Sequence, residues 1–296
     1  NAVAITGTTA EMIAALVTES TKVEVTDASL TIFDNPTITE LNAIAAKSTG
    51  VVTATLAADS LANFSALTTA GTDEINITIN EVDASNLTAA NLSELGGKTA
   101  GTVTVPNAVT ITGDHDQVTA ALVTASTKVE VSDATVIIND ADITEITATE
   151  LSSIGGATTG TVMVTNAVAI TGDHDQVTAA LITSGTKVEV SDATVTINDA
   201  DATAITASEL AVVGAATTGT VTVINAVAIT GTTAEMIAAL VTESTKVEVT
   251  DASLTISDTP TPDELNALDA ATTGTITYGS GGTFTQIGSD IDGASA

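Results

Sequence analysis

The chain has no cysteine, no tryptophan and no arginine, and its 296 residues include one tyrosine (Tyr278) and three phenylalanines (Phe33, Phe64, Phe284). Without cysteine there are neither disulfides nor thiolate metal sites. Aromatic rings normally fill irregular interior space, so an interior of Val, Ile, Leu and Ala points to thin layers of equal volume. The six lysines face 37 acidic residues and leave a net charge of −31. That balance lacks the clustered cations that phosphate backbones or anionic membrane surfaces require. It keeps a repetitive chain soluble but self-repelling, so added salt or divalent cations are expected to help. No apolar run is long enough to cross a bilayer as a helix. No signal peptide is present, and the chain opens in the middle of a repeat, which reads as a mature product or an excised piece.

What is present is repetition, with 44% apolar residues and a mean hydropathy of +0.39 to build a core. Asn-Ala-Val-Xaa-Ile-Thr-Gly begins at Asn1, Asn107, Asn166 and Asn225, with steps of 166 − 107 = 59 and 225 − 166 = 59. Asn1–Ile32 and Asn225–Ile256 are identical, letter for letter. A fixed period of this size implies stacked units, each burying a face against its neighbours.

The type unit, residues 101–159, opens with the alternating strand Val103-Thr-Val105, a turn at Pro106-Asn107 and a second strand at Val109-Thr-Ile111. Asp114 with Gln117 then forms a capping-box signature ahead of a helical stripe at Val118, Ala121 and Leu122. The design recurs at Val129-Glu-Val131 and Val136-Ile-Ile138, with a cap expected at Asp142-Ile-Thr-Glu145 and a helix ended by Gly155-Gly156. Val103, Val129 and Val162 thus mark two coils of unequal length, with steps of 129 − 103 = 26 and 162 − 129 = 33. Helix starts are also expected at Thr8, Thr37, Thr232 and Thr261, the last followed by Pro262. Within a coil, Val188, Val190, Val195 and Ile197 should point inward and Lys187, Glu189, Thr194 and Thr196 outward. Asn or Asp marks the corner between the strands at Asp27, Asn107, Asp133, Asn166, Asp192, Asn225 and Asp251, where it should bond a neighbouring coil's amides.

The expected fold is a repeat solenoid, a β-rich parallel β-solenoid with short helical turns in each coil. Its roughly ten coils stack in a rod or shallow arc of about 45–50 Å at the strand spacing. Residues 1–274 form one continuous solenoid of repeats 1–49, 50–100, 101–159, 160–218 and 219–273. The second of these is shortened and divergent. Residues 275–296 are a Gly-rich capping or docking segment. One subunit's carboxyl end is expected to dock on the amino end of the next, because open ladder ends recruit other strands.

The chemistry-bearing candidates are few. Asp114-His115-Asp116 and Asp173-His174-Asp175 could hold a divalent metal, yet the end repeats carry Thr8-Thr9-Ala10 and Thr232-Thr233-Ala234 in those slots, which favours capping. Asp140 and Asp142, with Asp199 and Asp201, cluster oxygens in one turn that stacking would align from one repeat to the next. Weak calcium sites are therefore the one cofactor the residues suggest. Lys22, Lys128, Lys187 and Lys246 form a column that reads as charge balance. Thr-Xaa-Thr pairs at Thr53/Thr55, Thr102/Thr104, Thr110/Thr112, Thr220/Thr222 and Thr275/Thr277 invite an ice-binding face, though Thr is also a good exposed strand residue. Asn63, Asn76, Asn86 and Asn91 open glycosylation sequons in the divergent repeat. No nucleophile with a base, no phosphate loop and no paired catalytic acids emerge, so no enzyme is expected.

The segments Thr127–Val136 and Thr186–Val195, Thr-Lys-Val-Glu-Val-Ser-Asp-Ala-Thr-Val, and the Gly-Thr-Val-Thr-Val at Gly101 and Gly219 resemble repeats of very large acidic bacterial surface proteins, cyanobacterial ones included, exported by type I secretion. The resemblance implies an extracellular structural, adhesive or surface-layer role, often with calcium. The expected partner is the chain itself, head-to-tail or laterally, with cell-surface glycans the alternative and neither nucleic acid nor membrane insertion. An adhesive or ice-binding module using a Thr-rich face is the second functional expectation.

Overall fold

The computed structural model describes residues 3–279 and 282–284. The chain divides into two compact units, Asn1–Ile138 with Ala157–Thr161, and Asn139–Gly156 with Val162–Ala296. Both are parallel ladders in sequence order with short helices between the strands.

In the first unit, Ala4–Gly7, Ser29–Ile32, Val52–Thr55, Glu74–Thr78, Val103–Val105 and Glu130–Val131 form one six-stranded sheet in that order. A second ladder joins Asn86–Thr88, Thr110–Gly113 and Thr135–Ile138. The helices include Ile38–Ala45, Ala89–Gly96 and His115–Leu122, while Leu61–Phe64 is a single turn. In the second unit, Glu145–Thr147, Ala169–Gly172, Thr194–Ile197, Val221–Val223 and Val247–Val249 form one ladder. Ala204–Thr206, Ala228–Gly231, Ser253–Ile256 and Ile276–Tyr278 form another, which Gly282–Phe284 joins antiparallel. This hairpin is what the structure describes of the Gly-rich terminal segment; its residues 280–281 and 285–296 lie outside the described residues.

Strand alternation places Val188, Val195 and Ile197 at 1% exposure or less, whereas Val190, at the end of its two-residue strand Glu189–Val190, is only half-buried. Aliphatic side chains dominate the interior, and Phe64 is among its largest fully buried groups. Phe33 is 70% exposed.

The expected alternation of short and long coils gives way to a nearly uniform pitch. Register partners in the parallel ladders differ in position by as little as 74 − 53 = 21 and as much as 221 − 195 = 26. Val221 pairs with Val195, not with the Glu189–Val190 strand, which sits beside Met163 and Val164. The physical reason is circumference: a ladder keeps its hydrogen bonds only if each turn has about the same length. The surplus of the long half therefore starts a new ladder, at Glu145 and again at Ala204 one repeat later.

The helix ends hold two further differences. Glu145 lies in a strand, and the cap expected at Asp142 falls instead on Thr147, whose box closes with Glu150. Ile143, between them, has φ 61, which breaks the local frame. Gly155-Gly156 does not end its helix through a left-handed residue, since Gly156 has φ −74. Gly155 is needed because a Cβ there would lie 2.0 Å from the Thr186 carbonyl oxygen.

Ile143 and Ala202 share positive φ, 61° in each, and a β-branched residue there is strained. Ile143 is also 82% exposed. Ile143→Gly is expected to stabilise the protein by about 1 kcal/mol, read as a higher urea midpoint at unchanged slope.

Candidate functional site

Two places in the fold gather polar chemistry: the helix amino termini, where most of the predicted metal residues fall, and a groove in the divergent repeat.

Asp173 caps His174–Leu181, accepting from Gln176 N at 2.8 Å while Gln176 Oε1 accepts from Asp173 N at 3.1 Å. Asp114 and Gln117 do the same for His115–Leu122. The helices beginning at Thr9, Leu61, His174 and Thr233 also receive a second carboxylate from the following turn. Asp199 accepts from His174 N at 2.7 Å and stands 2.7 Å from His174 Nδ1. Asp34 and Asp258 accept from the N–H and hydroxyl of Thr9 and Thr233 at 2.6–2.7 Å, and Glu81 accepts from Leu61 N at 2.8 Å. Helix amino termini attract carboxylates because their first N–H groups are unpaired and the dipole is positive there. Thr and His are interchangeable in this slot because each adds a side-chain donor to its own N–H. This clip between turns was missed in the sequence; its signal is a donor side chain 25 residues ahead of an Asp that follows a strand.

Hydrogen bonds from the Thr9 and Thr233 side chains, then from their backbones, hold the Asp34 and Asp258 carboxyls below the usual range. For His174, burial acts to lower the pKa, but the hydrogen bond and charge of Asp199, with the charges of Asp175 and Glu209, outweigh it and the imidazole is raised above its ordinary value.

Asp201 and Asp142 each accept, through Oδ1, from the backbone N–H of Ala226 and Ala167 at 3.1 and 3.2 Å. Asp140 is 6% exposed and its carbonyl accepts from the Asn166 side chain. Asp116 and Asp175 stand exposed, 3.6 and 3.5 Å from His115 and His174 Nε2. The corner residues Asn166 and Asn225 thus donate to a carbonyl of the preceding turn, where acceptance from an amide was expected. The Asp turns contact the Asn166-Ala167 and Asn225-Ala226 corners of the following turn, not their own copies in the next repeat. Among the described residues no three His, Asp or Glu converge as a cation site; Asp114, Asp142, Asp173, Asp199 and Asp201 accept from N–H donors, while Asp116 and Asp175 stand exposed. Calcium and magnesium at equal ionic strength are therefore expected to raise the melting temperature equally, by screening the acidic surface; a larger rise with calcium alone would show a site.

The groove opens where the helix Leu61–Phe64 is one turn long beside the two-turn Ala89–Gly96. It encloses about 480 Å³ over a floor of Leu61, Leu87 and Leu95. Asn86 and Asn91, two of the sequon asparagines, line its rim. Lys98, just past the longer helix, reaches the Ser65 carbonyl at 3.2 Å and pairs with Glu94 at 3.2 Å. Amides and hydroxyls over an aliphatic floor can hydrogen-bond a neutral polar ligand, but no ring lines the groove to stack on a sugar face.

Two of the Thr-Xaa-Thr residues stack at length: Thr222 in a rank with Thr147, Thr171 and Thr196 that Glu248 ends, and Thr277 in a rank with Thr206, Thr230 and Thr255. The companion rank reads Glu145, Ala169, Thr194. No helix of the described residues is long and apolar enough to cross a membrane. Compared with family models, curated proteins and solved structures, the chain matches none.

Proposed function

We propose that the chain is an extracellular structural repeat protein, a parallel β-solenoid of about ten coils that builds surface layers or fibres. No catalytic role is part of this reading. The observation that supports it best is a recurrent lock between turns. Thr217 Oγ1 donates to the Ala193 carbonyl at 2.7 Å and accepts from Gly219 N at 3.0 Å, while Thr218 bonds the Ser191 carbonyl through both N and Oγ1. Gly219 must be glycine because a Cβ would lie 2.2 Å from that Ala193 oxygen. Thr272 and Gly274 repeat the lock on Ala252, and Thr158 and Gly160 repeat it on Ala134. Polar side chains committed in this way hold one turn on the next, which is the economy of a scaffold.

Negative-stain imaging of the purified chain, with and without calcium, tests the reading: ordered fibres or sheets are expected, and dispersed particles at every concentration would end it. The second reading, an adhesive module, is supported by the groove in the divergent repeat, which breaks an otherwise regular surface. A glycan-array signal lost on substituting Asn86 and Asn91 would favour it.

A further inference from the structure

One ladder of the first unit ends inside the chain, and its outer strand forms a wall of the groove in the divergent repeat. Asn86–Thr88 pairs along Thr110–Gly113 on one side and, among the described residues, with no strand on the other. Thr110 N donates to the Ser85 carbonyl at 2.8 Å. Backbone groups alternate sides along a strand, so residues 85 and 87 turn theirs toward Thr110–Gly113 and Asn86 turns its N–H and C=O the other way. Ser85, Asn86, Leu87 and Thr88 all line the groove. The ladder edge therefore opens into it. Asn86 and Thr88 are exposed, whereas Leu87 is buried and joins Leu61 and Leu95 in the floor.

The second unit shows what stands at the matching place in a later repeat. There Asp173 caps and Asp199 clips the helix His174–Leu181, as Ser60 caps and Glu81 clips Leu61–Phe64. The helix of the second unit runs two turns and packs on Ala207–Gly214, next to its own outer strand Ala204–Thr206. In the first unit the second turn is missing, and the space left, about 480 Å³, is of ligand size. The groups around it select an occupant. An open ladder edge takes an extended backbone, and an aliphatic floor takes one apolar side chain. At the rim Glu81 and Glu94 stand against one lysine, Lys98, which already pairs with Glu94 at 3.2 Å. The whole chain sets 37 acidic residues against six basic ones, so a cationic partner is drawn in and an acidic one repelled. A sugar could use the amides of Asn86 and Asn91, but it has no backbone to match a strand edge and no ring lines the groove to stack on it.

We propose that this groove binds an extended cationic peptide, added as a further strand along Asn86–Thr88. Main-chain bonds to Asn86 hold it, one aliphatic side chain enters over Leu61, Leu87 and Leu95, and flanking lysines or arginines meet the acidic rim. Three strand residues span about 10 Å, so a short segment satisfies the site. A peptide ligand deepens the adhesive reading and rests on it.

The probe is the pentapeptide Lys-Thr-Val-Thr-Lys, blocked at both ends and titrated into the full chain. Saturable binding with Kd below about 1 mM is expected, weakening as salt is raised, with new hydrogen-exchange protection at the Asn86 amide. The same peptide with glycine in place of valine, or with glutamate in place of both lysines, should bind at least about fivefold more weakly. In the chain, Asn86→Pro removes the N–H that points into the groove, at an edge position where proline is tolerated, and should abolish binding. Asn86→Ala keeps that N–H and should leave Kd within about twofold. Hydrogen exchange on the parent chain decides the matter even where Asn86→Pro does not fold. No saturable binding, equal binding of the valine and glycine peptides, or no protection at Asn86 would each overturn the proposal. A glycan that binds the parent chain and is lost in Asn86→Ala, with no peptide bound, would give the groove to a sugar; the adhesive reading would then stand and the peptide fall.

Discussion

Gly155→Ala is expected to lower stability by about 3 kcal/mol, while Gly156→Ala, one residue on, should leave it unchanged or raise it by about 0.5 kcal/mol. Helix propensity alone predicts a gain of about 1 kcal/mol at both. The neighbours decide otherwise. A methyl group on Gly155 would sit 2.0 Å from the Thr186 carbonyl oxygen, and the obstructing atom is backbone, which cannot swing away. On Gly156 the nearest atom is the Ser152 carbonyl oxygen at 3.4 Å, with φ −74 already suited to alanine. The chain makes the second substitution itself, since Ala215 fills that place one period later with φ −76. Gly214, in contrast, keeps the first, with a Cβ position 2.0 Å from Thr245 O. Urea unfolding of the two variants beside the parent measures both effects. Equal midpoints would mean that the turns do not approach as closely as the structure places them.

The same pair of glycines shows where sequence reading succeeds. Capping boxes are strictly local, needing one side chain and an N–H three residues away, and those at Thr8, Thr37, Asp114, Thr232 and Thr261 are all present. The repeat, the inward faces of Val195 and Ile197 and the aliphatic interior follow equally directly from spacing and composition. Glu145 misled because Asp142-Ile-Thr-Glu145 and Thr147-Ala-Thr-Glu150 carry the same signature and differ only in backbone context, with Ile143 at φ 61. Everything that depends on the adjacent turn was out of reach. The choice of Val195 over Val190 as partner for the Val221 strand, the second carboxylate on the helix at His174 and the glycine beneath Thr186 are all contacts between one turn and the next.

The His174–Asp199 clip predicts the second large effect. Asp199→Ala removes the partner of His174 N and of its imidazole and should cost about 2–3 kcal/mol near pH 6, with a smaller cost in alkali. The sign follows from linkage. The folded-state pKa of His174 is raised, so the charged form's contribution is fully present below the ordinary histidine value of about 6.5 and is lost as pH rises through the folded value. The capping glutamates act at the other end. Side-chain and backbone bonds from Thr206 hold Glu209 below the usual range, and its contribution is lost as pH falls through that lowered value. Stability of the second unit should therefore be greatest between these limits. Thr233–Asp258 supplies the control within the chain, because it makes the same two bonds at 2.7 Å with no titrating donor. His174→Thr should thus keep the clip and flatten the alkaline loss, read by hydrogen exchange of amides 174–177 across the pH range. An unchanged alkaline loss at those amides in His174→Thr would show that the imidazole is held there by shape and not by charge.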